Sequence, residues 1–185
     1  MSFDTMAMIA LPMVVGGIIL GVDIMRLVAG DAFAISGSVL RILMIATLFI
    51  FLSNVFTHVI VALDQQKKMM YGFASVAALA LVGYLLLIPL YSFWGAAWMT
   101  VVAEGLVFLV SFFMVYRITG FVPSFHRVLV SFFASLIMAV FIVFFDALQY
   151  PLVLTILVSG LIYLVALIFL RGISKEFVWN IIKGK

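Results

Sequence analysis

Five residues of this largely apolar chain have side chains that could act on a charged or polar ligand: Arg26, Arg41, Asn54, His58 and Glu104. The two arginines are cations suited to an anionic group. Asn54 and His58 can both donate and accept hydrogen bonds. Glu104 is a carboxylic acid that would be protonated, paired or facing water inside a membrane. These residue types could bind a charged or polar ligand within an otherwise apolar sequence.

The composition of the chain predicts the environment of these residues. Of its 185 residues, 68% are apolar and only 9% are charged, and the mean hydropathy is +1.43. Soluble domains are about half apolar and about a quarter charged, so the chain is predicted to be an all-α, polytopic membrane helix bundle with the lipid bilayer as its first partner. The net charge of +3 is spread along the chain, which predicts no nucleic-acid partner.

Apolar runs separated by polar links predict six transmembrane helices within residues 1–170. The spans are expected at about 5–28, 39–63, 69–89, 95–116, 128–146 and 150–170. The first run is predicted to be a retained span rather than a signal peptide, because no Lys or Arg precedes it. Residues 171–185 are predicted to form a cytoplasmic amphipathic helix at the membrane surface.

Helices three and four are separated by an aromatic reversal instead of a charged loop. Pro89 lacks a backbone N–H and should end the third helix near itself, while Gly95 opens the fourth. Aromatic residues cluster between and beside them, as they do at a membrane–water interface. Glu104 then lies about nine residues into the returning helix, close to the middle of the bilayer at about 1.5 Å per residue.

A polar stripe marks the second helix. Thr47, Asn54 and His58 fall at i, i+7 and i+11, with Ser53 and Thr57 beside them. Polar groups in hydrocarbon must face protein or water, so this stripe is expected to point inward. Hydrogen bonding between helices and the lining of a substrate path are both open at this stage.

Two further alternatives concern the charged residues themselves. Asp23 and Arg26 are three residues apart on one helical face and could form a self-contained ion pair, or Arg26 could contact an anionic substrate. Glu104 could be a structural hydrogen-bonding group, or it could have a functional role.

Enzymatic and metal-binding functions find little support in the sequence. There is no His-Glu-x-x-His or Gly-x-Ser-x-Gly motif, and there are no paired intramembrane aspartates. His58 has no second ligand at a useful spacing. The chain has no cysteine, which excludes disulfides, Fe–S clusters and thiol nucleophiles. We therefore expect no enzyme activity, no metal and no cofactor.

Several short motifs together resemble a known family of membrane transporters. The order of these motifs resembles the carboxyl-terminal portion of the polysaccharide (lipid-linked oligosaccharide, O-antigen) flippases, within the multidrug/oligosaccharidyl-lipid/polysaccharide exporter superfamily. The similarity covers about residues 8–117. The motifs are Leu11-Pro12, Met25-Arg26-Leu27, Gly30-Asp31-Ala32-Phe33, Leu40-Arg41-Ile42-Leu43, Ala62-Leu63-Asp64-Gln65-Gln66-Lys67, Leu87-Ile88-Pro89, Gly95-Ala96-Ala97 and the pair Thr100 and Glu104.

The resemblance implies that the chain is part of a transporter that flips lipid-linked sugar units across the cytoplasmic membrane by alternating access. Because the family's members have twelve to fourteen spans in two lobes, it also implies a missing amino-terminal lobe or another copy as a partner. Two alternatives follow. The chain could be an incomplete or split-gene packing module without its own transport, or it could be a cation-coupled drug antiporter of the same superfamily.

The distribution of basic residues predicts the orientation of the chain. Eight of the ten lie in the links 64–68 and 117–127 and in the tail, whereas only Arg26 and Arg41 lie on the opposite side. The positive-inside rule then places both termini in the cytoplasm of a multi-pass inner-membrane protein.

This orientation can be tested directly because the chain has no native cysteine. In intact cells, F93C should react with a membrane-impermeant maleimide added from outside, and K67C should react only after the membrane is permeabilised. Labelling of F93C from the cytoplasmic side alone would contradict the six-span topology.

Overall fold

The computed structural model describes the backbone of residues 2–120 and 125–170 and the side chains of residues 3–120 and 127–170. The predicted amphipathic tail, 171–185, lies outside the described residues. The chain divides into two compact units, Met1–Pro123 and Ser124–Lys185. All regular structure in the described residues is helical, so the all-α prediction is confirmed.

The first unit contains three helical elements joined by short turns. Gly30 follows the first helix with a φ of 90°, and a 3-10 turn, Asp31–Phe33, leads into the second. The helices are α1, Ser2–Ala29; α2, Ala34–Ala62; and α3, Gln66–Thr119. The prediction that α2 begins at about residue 39 was wrong by five residues, because the Ser-Gly-Ser segment 36–38 was interpreted as a turn. Gly37 is instead a packing residue inside the helix.

The 54-residue helix α3 is a hairpin. Its backbone is broken at Ser92, which has φ 54° and ψ −135°, close to the first central residue of a type II′ turn. On either side, Gly72 lies against Val110 and Gly83 lies against Met99. In an unbroken helix residues 72 and 110 would be about 57 Å apart. We call residues 66–91 the first arm and residues 93–119 the second arm.

The break at Ser92 lies within the reversal predicted between Pro89 and Gly95. The first arm continues two residues beyond Pro89, to Tyr91. A proline inside a membrane helix is tolerated when its surroundings satisfy the freed carbonyl group. The reversal itself was expected and is confirmed, but it is centred on Ser92.

Close backbone contact holds α1 against α2. A Cβ atom on Gly37 would collide with the backbone of Val22, and one on Gly21 would lie 3.0 Å from the Gly37 carbonyl oxygen. Gly17 lies under the side chain of Met44. Gly17 and Gly21, two small residues one helical turn apart, therefore form the α1 side of this contact, as such pairs do in membranes.

A cluster of phenylalanines connects α1, α2 and the second arm of α3. The ring of Phe56 on α2 lies 5.4 Å from Phe3 on α1, 5.9 Å from Phe108 and 5.6 Å from Phe112. Phe49 on α2 also contacts Phe108, with ring centroids 5.9 Å apart. Phe56 is almost completely buried and so is the centre of this packing.

The second unit is a helical pair: α4, Phe125–Ala147, and α5, Leu152–Phe169. Ser131 on α4 hydrogen bonds to the Tyr163 hydroxyl on α5 at 2.8 Å, and Ser135 donates to the Ser131 carbonyl oxygen. Thr155, Ser159 and Tyr163 are spaced by four residues, so they share one face of α5, and this face is buried.

Five helices of the described residues are long and apolar enough to cross a membrane. Because α3 is folded back on itself at Ser92, its two arms correspond to the third and fourth predicted spans. The five continuous elements thus contain the six segments expected from the sequence, in a bundle of membrane helices.

The tightest point of the α3 hairpin is Gly95, where an added Cβ would collide with the carbonyl group of Leu87. We expect Gly95→Ala to destabilise the protein by about 1–3 kcal/mol, the usual cost of overpacking. Thermal unfolding in detergent micelles would measure the loss. The control is Gly105→Ala, whose Cβ would make only ordinary contacts with the Phe49 ring, the nearest at 3.7 Å. Equal stability of the two variants would contradict the hairpin packing.

Candidate functional site

Arg26 is paired with acids near the end of α1. Its Nη1 lies 3.4 Å from Asp23 Oδ1, and its Nε lies 3.9 Å from Asp31 Oδ1. Of the two alternatives drawn from the sequence, the structure shows the local ion pair with Asp23. About half of the Arg26 side chain remains exposed. If Arg26 left Asp23 to bind an anionic ligand, only a weak surface ion pair would be lost.

Arg41 bridges two helices. Its Nη2 donates a 2.9 Å hydrogen bond to the carbonyl oxygen of Ile19 on α1, and its aliphatic stem lies over Gly21. The absence of a side chain at Gly21 makes room for this crossing. Arg41 is exposed and makes no ion pair with any residue in the described ranges, so most of its five N–H donors are available to a ligand.

Asn54 and His58 point away from the packed faces of α2. Both are exposed, and neither hydrogen bonds to another residue that the structure describes. The expectation that the whole stripe turns inward is therefore corrected for these two residues. The reason is that α1 and the second arm of α3 occupy two other sides of α2, through Met44 on one side and Phe49 on the other.

The hydroxyl groups near this stripe are satisfied within α2 itself. Thr47 donates to the Leu43 carbonyl oxygen, Ser53 to that of Ile50 and Thr57 to that of Ser53, each at 3.0 Å. These are the local bonds that Ser and Thr commonly make in helices. Hydrogen bonding between helices, one of the two roles considered for the stripe, is therefore not what these hydroxyl groups do. Asn54 and His58 are the groups of the stripe that need a partner outside α2.

Glu104 lies on the second arm of α3. It shares a helical face with Ala97 and Ser111, each seven residues away, and both of these are buried. Its neighbour Gly105 faces the Phe49 ring of α2. Glu104 is half-buried and forms no hydrogen bond or ion pair with any residue in the described segments. An unpartnered carboxyl group at this depth is a functional-site candidate by default.

A hydrogen bond that sequence analysis missed closes the hairpin one turn from Glu104. The Tyr84 hydroxyl lies 2.9 Å from Thr100 Oγ1, and Thr100 also donates to the Ala96 carbonyl oxygen. Tyr84 and Thr100 each lie eight residues from Ser92. This symmetric spacing about the turn is the sequence signal that could have revealed the pair. Because Thr100 is engaged in this way, it does not hydrogen bond to Glu104.

The structure does not bring the five predicted residues into one pocket. Along α2, Arg41 and Asn54 are 13 residues apart, which corresponds to about 20 Å. Glu104 lies between them in depth, level with Phe49. The arrangement is a series of polar positions at different depths: arginines near one membrane surface, an acid in the middle, and an amide and an imidazole towards the other surface.

No metal site is formed by the described residues, which contain no cluster of three or more His, Cys, Asp or Glu side chains. Comparisons with known proteins found no matching family model, no matching curated protein and no matching solved structure.

The exposed polar face of α2 makes a prediction about its surroundings. If Asn54 faces water, N54C should react rapidly with a small hydrophilic thiol reagent in membrane vesicles. L79C is the control, because Leu79 is 59% exposed but lies among apolar residues of the first arm. Lipid should shield it. Equal reaction rates for the two variants would contradict an aqueous or ligand-accessible α2 face.

Proposed function

We propose that this chain is part of a membrane transporter that flips lipid-linked oligosaccharide across the cytoplasmic membrane by alternating access. The observation that carries the proposal is the exposure of Asn54 and His58 on α2, without a hydrogen-bond partner among the described residues. Polar side chains within the hydrocarbon region lie against protein or a water-filled path. A face of this kind suits the hydroxyl-rich headgroup of a sugar lipid, whose tail would stay in the bilayer.

The two arginines support an anionic substrate. Arg26 and Arg41 lie at the end of α1 and near the start of α2, and both are exposed. A diphosphate that joins a sugar to its lipid carrier would be attracted to this end of the unit. In the proposed cycle, the arginines bind the diphosphate on one side of the membrane after the headgroup has passed the α2 face.

Glu104 is proposed as the residue that binds the coupling ion. Its carboxyl group lies beside the second-arm contact with α2, at intermediate depth and without a protein partner among the described residues. Binding of a proton or sodium ion would remove or balance its charge. This change in charge would favour a different packing of the second arm against α2, which is the two-state element that alternating access needs.

The orientation of the protein is part of the same proposal. The hairpin places Lys67 and Lys68, at the start of the first arm, at the same end as Arg117 in the last turn of the second arm. By the positive-inside rule this end faces the cytoplasm. Both chain termini would then also be cytoplasmic, in the inner membrane.

A second candidate function is supported by the same exposed face. Asn54 and His58 could be covered by another copy of the chain or by a separate amino-terminal lobe. In that case this chain would be a packing module that transports nothing alone. Chemical crosslinking from N54C would distinguish the two, because a packing module gives one defined crosslinked product and a water-filled path gives none.

The third candidate function is that of a drug antiporter in the same exporter superfamily. The half-buried, unpartnered acid Glu104 would suit a cationic drug, whereas the exposed arginines favour an anionic substrate. Protection of cells from cationic dyes by the expressed protein would favour the antiporter.

The role of Glu104 predicts the outcome of one substitution. Glu104→Gln should lower the rate of ion-driven translocation roughly tenfold or more, because coupling between two ligands is typically about 1–3 kcal/mol. The measurement is translocation of a lipid-linked oligosaccharide in proteoliposomes under an imposed ion gradient, with any partner chain present.

The matched control is Asp64→Asn, which removes an exposed acid in the link between α2 and α3. It should leave the rate within about twofold, since an exposed charge that forms no ion pair with the described residues contributes little. Unchanged transport in Glu104→Gln would remove the coupling role of this residue.

A further inference from the structure

A groove on the second arm of α3 carries two cations at one end and apolar side chains along the rest. Its volume is about 730 Å³, and it is lined by Lys68 and Arg117 together with apolar residues that include Leu106, Leu109, Phe113 and Ile118. All of these belong to the first unit. None of them takes part in the polar face of α2 or lies beside Glu104 on its helical stripe.

Within the part of the chain that the structure describes, no acidic side chain pairs with either cation. Lys68 and Arg117 form no ion pair or hydrogen bond with any residue in the described ranges, although Asp64 lies nearby in sequence and accepts a hydrogen bond from Gln66. Both line the same groove. A single anionic group at its mouth could therefore contact an ammonium and a guanidinium group at once.

The apolar part of the groove has the length of one leaflet. Arg117 and Leu106 are 11 residues apart on a helix, which is about 16 Å, and half of a hydrocarbon core is about 15 Å. Leu109, Phe113 and Ile118 are between 44% and 55% exposed. The groove therefore presents an apolar wall to an acyl chain that runs inward from the charged mouth.

We infer that this groove is a binding site for an anionic phospholipid, with the phosphate between Lys68 and Arg117 and an acyl chain along the second arm. The charge pattern favours a lipid with a net negative headgroup over a zwitterionic one. The position of the cations at the end of the hairpin, at the membrane surface, matches the depth of a lipid phosphate. The site is separate from the transport proposal and does not depend on it.

The test uses the purified full chain in detergent and native mass spectrometry with dioleoyl phosphatidylglycerol and dioleoyl phosphatidylcholine. The unmodified chain should bind the anionic lipid more tightly. Lys68→Gln should lower that affinity about fivefold and the double variant Lys68→Gln/Arg117→Gln roughly 25-fold, since each cation contributes about 1 kcal/mol. Phosphatidylcholine binding should change little.

The neighbouring cation provides a matched control. Lys67→Gln removes the same charge at the adjacent position but does not line the groove, so it should leave the affinity within about twofold. An equal loss in the Lys67 and Lys68 variants would show only general attraction to a basic surface and would overturn the site. Equal affinity of the two lipids for the unmodified chain would also overturn it.

The acyl-chain part of the site has its own variants. Leu109→Trp keeps both cations and fills the groove, so it should weaken phosphatidylglycerol binding, whereas Leu79→Trp on the first arm should not. Competition with glycerol phosphate separates headgroup binding from lipid binding. Displacement of the lipid by millimolar glycerol phosphate, or full binding by Leu109→Trp, would overturn an acyl groove. Circular dichroism of each variant confirms that the helices are retained.

Discussion

The rest of the first unit depends on the direct backbone contact between α1 and α2. In lipid, apolar side chains gain little by leaving their surroundings, so helices associate through close packing and hydrogen bonds. Gly37 on α2 meets the backbone of Val22, and Gly21 makes room for Arg41. This contact fixes the rotation of α2 about its axis. The rotation in turn directs Phe49 and Phe56 towards the second arm of α3 and leaves Asn54 and His58 exposed.

Polar groups in the helices fall into three classes by how they are satisfied. Thr47, Ser53 and Thr57 bond to carbonyl groups of their own helix. Tyr84 with Thr100, and Ser131 with Tyr163, join two helical segments. Asn54, His58 and Glu104 have no such partner in the described parts of the chain. The first two classes explain the fold, and the third is accessible to a partner outside these helices. Ser111 and Ser159 also lack a hydrogen-bond partner among the described residues, but both are buried. Sorting the polar groups by their hydrogen-bond partners therefore identifies candidate site residues by their chemistry as well as by their position.

Hydropathy predicted the helical class and the six apolar segments because the thickness of a bilayer sets the length of each run. The Gly17–Gly21 contact was predictable for a similar reason, since small residues one turn apart serve few other purposes in a membrane helix. The reversal between the two arms was predictable from Pro89 and Gly95, but its exact residue, Ser92, was not, because proline is tolerated in a helix whose neighbours satisfy the freed carbonyl. The direction of Asn54 also could not be predicted. Periodicity shows which residues share a face but not which neighbouring helix that face meets. The partner of Arg26 could not be predicted either, because its three-residue spacing from Asp23 was compatible both with an ion pair and with contact to an anionic substrate.

The hairpin of α3 also has a consequence for biosynthesis. From Met69 to Ala103 there is no charged residue, and the turn at Ser92 is surrounded by aromatic side chains. A loop without charged side chains can cross the hydrocarbon without the cost of dehydrating a charge. The two arms can therefore insert as a preformed pair. Lys67, Lys68 and Arg117 lie at the other end of the hairpin from Ser92, where their charges would hold the pair at the membrane surface.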